Sequence, residues 1–143
     1  MQILHTEVRI RASPETIWKA LAESPGIPAE IRKALHDRNT GQDLSVPMSA
    51  GGRSATLTVK MLSVDPFREI RWKGYFWIPG LFDGEHSFEI REDTGGQTLL
   101  VQREIFSGLL IPFLSGTLNV TKQEFERMNA EIRDTAERDV GLK

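Results

Sequence analysis

Three polar residues stand where an antiparallel hairpin would turn them toward an apolar interior: His86, Gln102 and Glu104. In residues 85–92, His86 shares parity with Phe88 and Ile90, so all three face one side of a strand. The partner run, residues 97–107, has two usable parities. One gathers Leu99, Val101, Arg103 and Ile105; the other gathers Leu100, Gln102, Glu104 and Phe106. Turn chemistry separates them. Asp93-Thr94-Gly95 suits a three-residue loop with glycine in the left-handed position and a bulge. That loop sets Glu92 opposite Gly96 and His86 opposite Gln102, and brings Glu104 and Phe106 inward. A loop of two or four residues would bring Val101 and Arg103 inward instead. The bulged turn is preferred.

A histidine beside a carboxylate can do general acid/base work near neutral pH. The same trio can orient the polar end of a ligand. It can also do neither, because buried polar groups commonly just satisfy one another. All three alternatives stay open, and the enzymatic one is the least favoured. His86 and Glu104 are the candidates if there is catalysis. The candidate ligand-facing set is Trp72, His86, Phe88, Gln102, Glu104, Phe106, Phe125 and Met128. Each apolar member has packing as its plainer reading; Met and Phe also suit an adaptable pocket wall.

Other chemistries lack their signatures. The three histidines, His5, His36 and His86, show no His-x-His or His-Glu-x-x-His spacing, so no metal site is expected. There is no dinucleotide or phosphate-binding glycine loop and no Gly-x-Ser-x-Gly elbow, so no cofactor is expected. Cysteine is absent, which removes disulfides and thiolate metal sites and fits a cytoplasmic location. The formal net charge of −2 comes without a basic block, so no nucleic-acid partner is expected. No apolar run approaches the ~20 residues of a membrane span, and the first residues lack the apolar core of a signal peptide.

The elements that must position the trio follow from pattern. Residues 3–11 alternate, with Leu4, Val8 and Ile10 on one side and His5, Glu7, Arg9 and Arg11 on the other. Ser13-Pro14-Glu15 opens a helix that shows Ile17, Trp18 and Leu21 and ends near Ser24-Pro25-Gly26. Residues 27–36 suit a second short helix, with Ile27, Ile31 and Leu35 on one face; His5 and His36 are expected to be exposed. Strands follow at 43–48, 54–64, 69–76, 85–92 and 97–107, with turns at Ser49-Ala50-Gly51-Gly52 and Asp65-Pro66. Residues 77–84 form an apolar loop, where Trp77, Ile78, Leu81 and Phe82 cap the core, gate a cavity or meet a partner.

The last stretch, Ile111 to Val140, reads as a long helix. Leu114, Leu118, Thr121, Phe125, Met128, Ile132 and Thr135 make one stripe. Lys122, Glu126, Arg127, Arg133, Glu137 and Arg138 make the solvated face. Pro112 suits its first turn, and a span of 112–138 would be about 40 Å long. Gly116 and a capping-box pair, Thr121 with Glu124, leave open a separate short helix at 112–119. Helices set apart from a run of strands point to an α+β fold. The length of 143 residues fits one domain, 1–143, with a sizeable core.

This order of elements, together with Ser13-Pro14-Glu15-Thr16-Ile17-Trp18, Ile70-Arg71-Trp72-Lys73-Gly74, Gly84-Glu85-His86-Ser87-Phe88-Glu89-Ile90 and Gln102-Arg103-Glu104-Ile105-Phe106-Ser107-Gly108-Leu109-Leu110-Ile111-Pro112, resembles the START/polyketide cyclase (SRPBCC) superfamily, in its polyketide cyclase/dehydrase-like branch. The resemblance spans the chain. It departs at Gly26-Ile27-Pro28-Ala29-Glu30, where many relatives carry a Trp-x-Pro-type segment, so the mouth of a cavity is expected to differ. The resemblance implies a helix-grip fold, a curved antiparallel sheet wrapped around the C-terminal helix with two short helices after the first strand. It implies a small hydrophobic ligand between sheet and helix. Some members instead catalyse cyclisation or dehydration, and others are co-chaperone-like interaction modules. A monomer or weak homodimer is expected.

Overall fold

A computed structural model describes residues 1–38, 40–50, 53–76, 78–113 and 115–141. Gly51, Gly52, Trp77 and Leu114 of the readings above therefore lie outside the described residues. Strand β1 (Gln2–Ile10) leads into helices α1 (Pro14–Ala22) and α2 (Ala29–Asp37). Strands β2 (Asp43–Ala50), β3 (Arg53–Asp65), β4 (Glu69–Phe76), β5 (Asp83–Glu92) and β6 (Thr98–Ser107) follow, and helix α3 (Ser115–Asp139) ends the chain. The six strands form one antiparallel sheet in the order β1-β6-β5-β4-β3-β2. The fold is α+β, as the segregation of helices and strands implied.

Local chemistry explains the elements. Ser13 Oγ accepts from the Thr16 N–H at 3.2 Å, and Pro14 occupies the first turn of α1, where its missing N–H costs nothing. Helix α2 ends on Arg38, which takes the left-handed conformation at φ 57°; His36 lies in its last turn and is exposed. In the strands the alternation sorts faces as read: Ile10, Val46, Val59, Met61, Ile70, Phe88, Ile90 and Leu100 are buried. A register shift between Met61 and Ser63 leaves Leu62 exposed.

The start of the last helix and the hairpin register are corrected. Residues 115–119 belong to α3 and form no separate helix, but Pro112 does not lie in its first turn. Ile111–Phe113 form a 3-10 turn, and α3 begins at Ser115. Pro112 sits inside that tight turn, where Ile111 N–H bonds Gly108 O and Phe113 N–H bonds Leu110 O. Thr121 and Glu124 consequently lie within α3 and not at its start. The hairpin register also differs by two residues: His86 pairs with Glu104, and Phe88 with Gln102. The loop is five residues long because Asp93 N–H bonds Gln97 O, and because Gly95 and Gly96 both take positive φ, 73° and 76°. A slip of two keeps every side chain on its expected face.

The helices divide the inner face of the sheet between them. Helix α3 lies closest to β1, α1 and β6, while α2 lies closest to β2 and β3. Leu118, Phe125, Ile132 and Ala136 form the buried edge of α3, joined by Asn129 and Glu137. Glu137, expected on the solvated face, is buried because its carboxylate accepts the Arg11 N–H at 2.9 Å. The middle of the sheet, over β4 and β5, is left to line a hollow.

Candidate functional site

That hollow is a cavity of about 510 Å³ between the sheet and the helices. Its floor is the inner face of β4 and β5: Trp72, Gly74, Phe76, Gly84, His86 and Phe88. Glu104 and Phe106 of β6 continue it, with Phe82 beside Phe76 and Phe106. Thr121, Phe125 and Met128 of α3 form one wall; Val46, Pro47 and Leu57 of β2 and β3, with residues 25–31 at the start of α2, form the other. The departure segment Gly26 to Glu30 thus lies on the cavity wall.

Strand pairing sets the glycines of the floor opposite one another, Gly74 against Gly84. Each lacks a side chain where a neighbour needs the space. The Leu57 side chain leans over Gly74 at 3.1 Å from where a Cβ would stand. A Cβ on Gly84 would overlap Glu104 Oε2. The carboxyl group therefore lies over bare backbone and reaches the cavity.

His86 stands beside it, held on every polar edge. Its Nδ1 lies 2.9 Å from Glu104 Oε1, and its Nε2 lies 2.9 Å from Gln102 Oε1. Gln102 Nε2 donates to Asn129 Oδ1 at 2.7 Å and to Phe125 O at 3.3 Å. Asn129 Nδ2 donates to Thr6 Oγ1 at 2.8 Å, and Thr6 Oγ1 donates to Gln102 O at 2.9 Å. The network joins β1, β5, β6 and α3, and Thr6, His86, Gln102 and Asn129 are all buried. A buried network satisfied at each step fixes its members in place.

Two backbone carbonyls give this network a direction. Phe125 O can only accept, so Gln102 must turn its NH₂ toward α3 and its Oε1 toward His86. Gln102 O can only accept as well, so the Thr6 hydroxyl is spent on it and must receive from Asn129. Both requirements assign the same orientation to the amides. His86 Nε2 must then carry a hydrogen for Gln102 Oε1. With Nε2 protonated, a neutral imidazole would set its Nδ1 lone pair against Glu104 Oε1. One proton between Nδ1 and Oε1 removes that clash, and it makes the pair neutral as a whole, which suits its burial.

Of the residues read from sequence, Trp72, His86, Phe88, Glu104, Phe106, Phe125 and Met128 line the cavity. Gln102 does not. It is fully buried behind His86, spent on the imidazole, Phe125 O and Asn129. His86 also has no free nitrogen to offer a ligand, since both are engaged within the network. Glu104 keeps one oxygen, Oε2, that no described residue bonds. Thr6, Gly74, Gly84 and Asn129 were missed. Asn129 carried a signal, because it sits four residues after Phe125, on the edge of the apolar stripe. The pairing of Gly74 with Gly84 had none, since register between strands is not written in either strand.

An antiparallel sheet gripping a long C-terminal helix, with an apolar cavity between them, defines the helix-grip class. The chain belongs to the polyketide cyclase / dehydrase and lipid transport family, matched over residues 1–137. Among solved structures it is similar to protein MLL2253 from Mesorhizobium loti, at 16% identity and a TM-score of 0.64, covering 96% of this chain and 98% of that one. It is similar to the Zhui aromatase/cyclase from Streptomyces sp. R1128, at 15% identity and a TM-score of 0.66, covering 97% of this chain and 95% of that one. It is also similar to Aha1 from Colwellia psychrerythraea, solved as a dimer, at 18% identity and a TM-score of 0.60, covering 96% of this chain and 97% of that one. At these identities the likeness is one of fold. No curated protein matches the sequence. Among the described residues, no helix is long and apolar enough to cross a membrane.

Proposed function

We propose that the chain binds a small, largely apolar molecule in the cavity between the sheet and α3. The observation that carries this reading is the hollow of about 510 Å³ itself, within the size range of small-molecule sites and lined mainly by aromatic and aliphatic side chains. Protein interiors are otherwise packed as densely as organic crystals. A hollow of this kind forgoes contacts that a ligand restores. Trp72, Phe88, Phe106, Phe125 and Met128 supply its apolar surface, and Glu104 its polar point.

Native mass spectrometry of the purified protein, followed by organic extraction, tests it. A co-purifying apolar molecule near one-to-one is expected. If the protein is recovered empty, a panel of aromatic and aliphatic probes should raise its melting temperature, as any ligand selective for the native state does. Failure of both would sink the reading. It would turn attention to the apolar residues exposed on segments 78–82 and 108–113, namely Ile78, Leu109 and Phe113, as a surface for a protein partner.

A second reading is an enzyme of the cyclase or dehydratase type. The His86–Glu104 pair at the cavity wall favours it, as does the likeness to a protein described as an aromatase/cyclase. In that reading Glu104 meets the ligand and His86 exchanges the proton with it. Glu104→Gln would then abolish turnover and leave binding intact.

A further inference from the structure

We infer that the cavity selects an uncharged aromatic molecule bearing a hydroxyl group, and that Glu104 Oε2 receives its hydrogen bond; this rests on the reading of the cavity as a binding site. The direction of the network carries the inference. Phe125 O and Gln102 O orient Gln102 and Asn129, and thereby place a hydrogen on His86 Nε2. One proton lies between His86 Nδ1 and Glu104 Oε1. Wherever along that contact it sits, Oε2 has none. It is either an oxygen of a carboxylate or the carbonyl oxygen of a carboxylic acid, and both only accept. No described residue donates to it, and it lies over Gly84 on the cavity floor. A ligand that fills the cavity must bring a donor or leave that oxygen unsatisfied.

Charge narrows the choice. Among the described residues lining the cavity there is no Lys or Arg, while Glu30 and Glu104 are both carboxylic. An anionic ligand would lose its hydration without gaining a cation. The start of α2 also faces the cavity and has no side-chain cap, which by itself would favour an anion. Glu30, in that first turn, already supplies the negative charge. Because the His86–Glu104 pair is neutral overall, it calls for a neutral donor. The rings of Trp72, Phe76, Phe82, Phe88, Phe106 and Phe125 suit an aromatic body.

The test is calorimetric titration of the full chain with naphthol, naphthol methyl ether and naphthoate. Naphthol should bind at least about tenfold more tightly than the ether, and naphthoate more weakly still. In Glu104→Leu the ether should still bind and the advantage of naphthol should vanish. In Glu104→Gln the advantage should survive, because the amide can donate to Nδ1 and turn its oxygen to the cavity. Equal binding of naphthol and ether, or tighter binding of naphthoate, overturns the inference while the cavity remains a binding site. Binding of none of the three overturns the binding reading and this inference with it. The order of the three ligands on the unaltered protein decides the matter even where a Glu104 variant fails to fold.

Discussion

The imidazole of His86 lies flat against the indole of Trp72, ring centroids 4.5 Å apart and planes 9° from parallel. The two residues are directly opposed across β4 and β5, so strand register makes the stack. Phe125 reaches the same imidazole from α3, with centroids 4.8 Å apart. His86 is thereby a joint between the sheet and the helix. Its loss should be felt as stability before it is felt as binding. His86→Ala leaves Glu104 Oε1 and Gln102 Oε1 without a donor and opens a space beside Trp72. A cost of about 2–4 kcal/mol in urea unfolding is expected. A variant as stable as the parent would mean that the imidazole is not held as described.

Asn129 and Thr6 form the far end of the same network. Asn129→Leu strips an acceptor from Gln102 and a donor from Thr6, and should cost about 1–3 kcal/mol. Thr6→Val should cost about 1–2 kcal/mol through Gln102 O. Because the two residues bond each other, the double variant should lose less than the sum. The thermodynamic cycle from chemical denaturation measures that coupling; strict additivity would show the two sites to be independent.

Gly84→Ala tests the close approach of Glu104. The added methyl overlaps Oε2, so the carboxyl group must move off the floor. A loss of about 1–3 kcal/mol is expected. More tellingly, the preference for naphthol over its ether should shrink in the same variant. An alanine variant with unchanged melting and unchanged ligand order would show that Glu104 does not depend on the gap.

Asp93 gives the chain an acid-sensitive point far from the cavity. The Thr94 N–H, and then the Arg9 side chain, hold its carboxyl below the usual value. A depressed folded value means that this carboxylate's contribution is fully present above the unfolded value, near 4, and is lost as pH falls through the folded one. The side-chain carbon of Asp93, followed by NMR, should titrate below its unfolded reference, and Asp93→Asn should soften the acid limb of the stability curve. A midpoint at or above the reference would contradict the arrangement.

The faces of most strands were legible in the sequence, since alternation alone put Ile10, Trp72, His86 and Phe88 on the buried side; Phe106 needed the turn chemistry as well. So was the start of α1, because Ser13 and Pro14 act locally. The hairpin register was not. Whether the turn after Glu92 closes in three residues or five depends on a second glycine turning left-handed, which a string of turn-forming residues does not reveal. The long helix was legible as a stripe, yet its start was not, because Pro112 suits a 3-10 turn as well as a helical first turn. In the site, polarity marked His86, Gln102 and Glu104 together. What separated them, Gln102 sealed behind His86 and Glu104 facing the hollow, depends on Asn129 and Phe125 of α3 and on Gly84 of β5, elements far apart in the chain.

The backbone of residues 80–81 is bonded to the connection before α3: Leu109 N–H bonds Gly80 O and Leu110 N–H bonds Leu81 O, each at 3.0 Å. Gly108, at φ 120°, passes so close that a side chain there would strike Leu81 O. Phe82, which comes next in the chain and lines the cavity, is therefore tied to the segment that leads into the turn at Ile111–Phe113. The two segments are joined as a single plate, so a displacement of either is carried to the other.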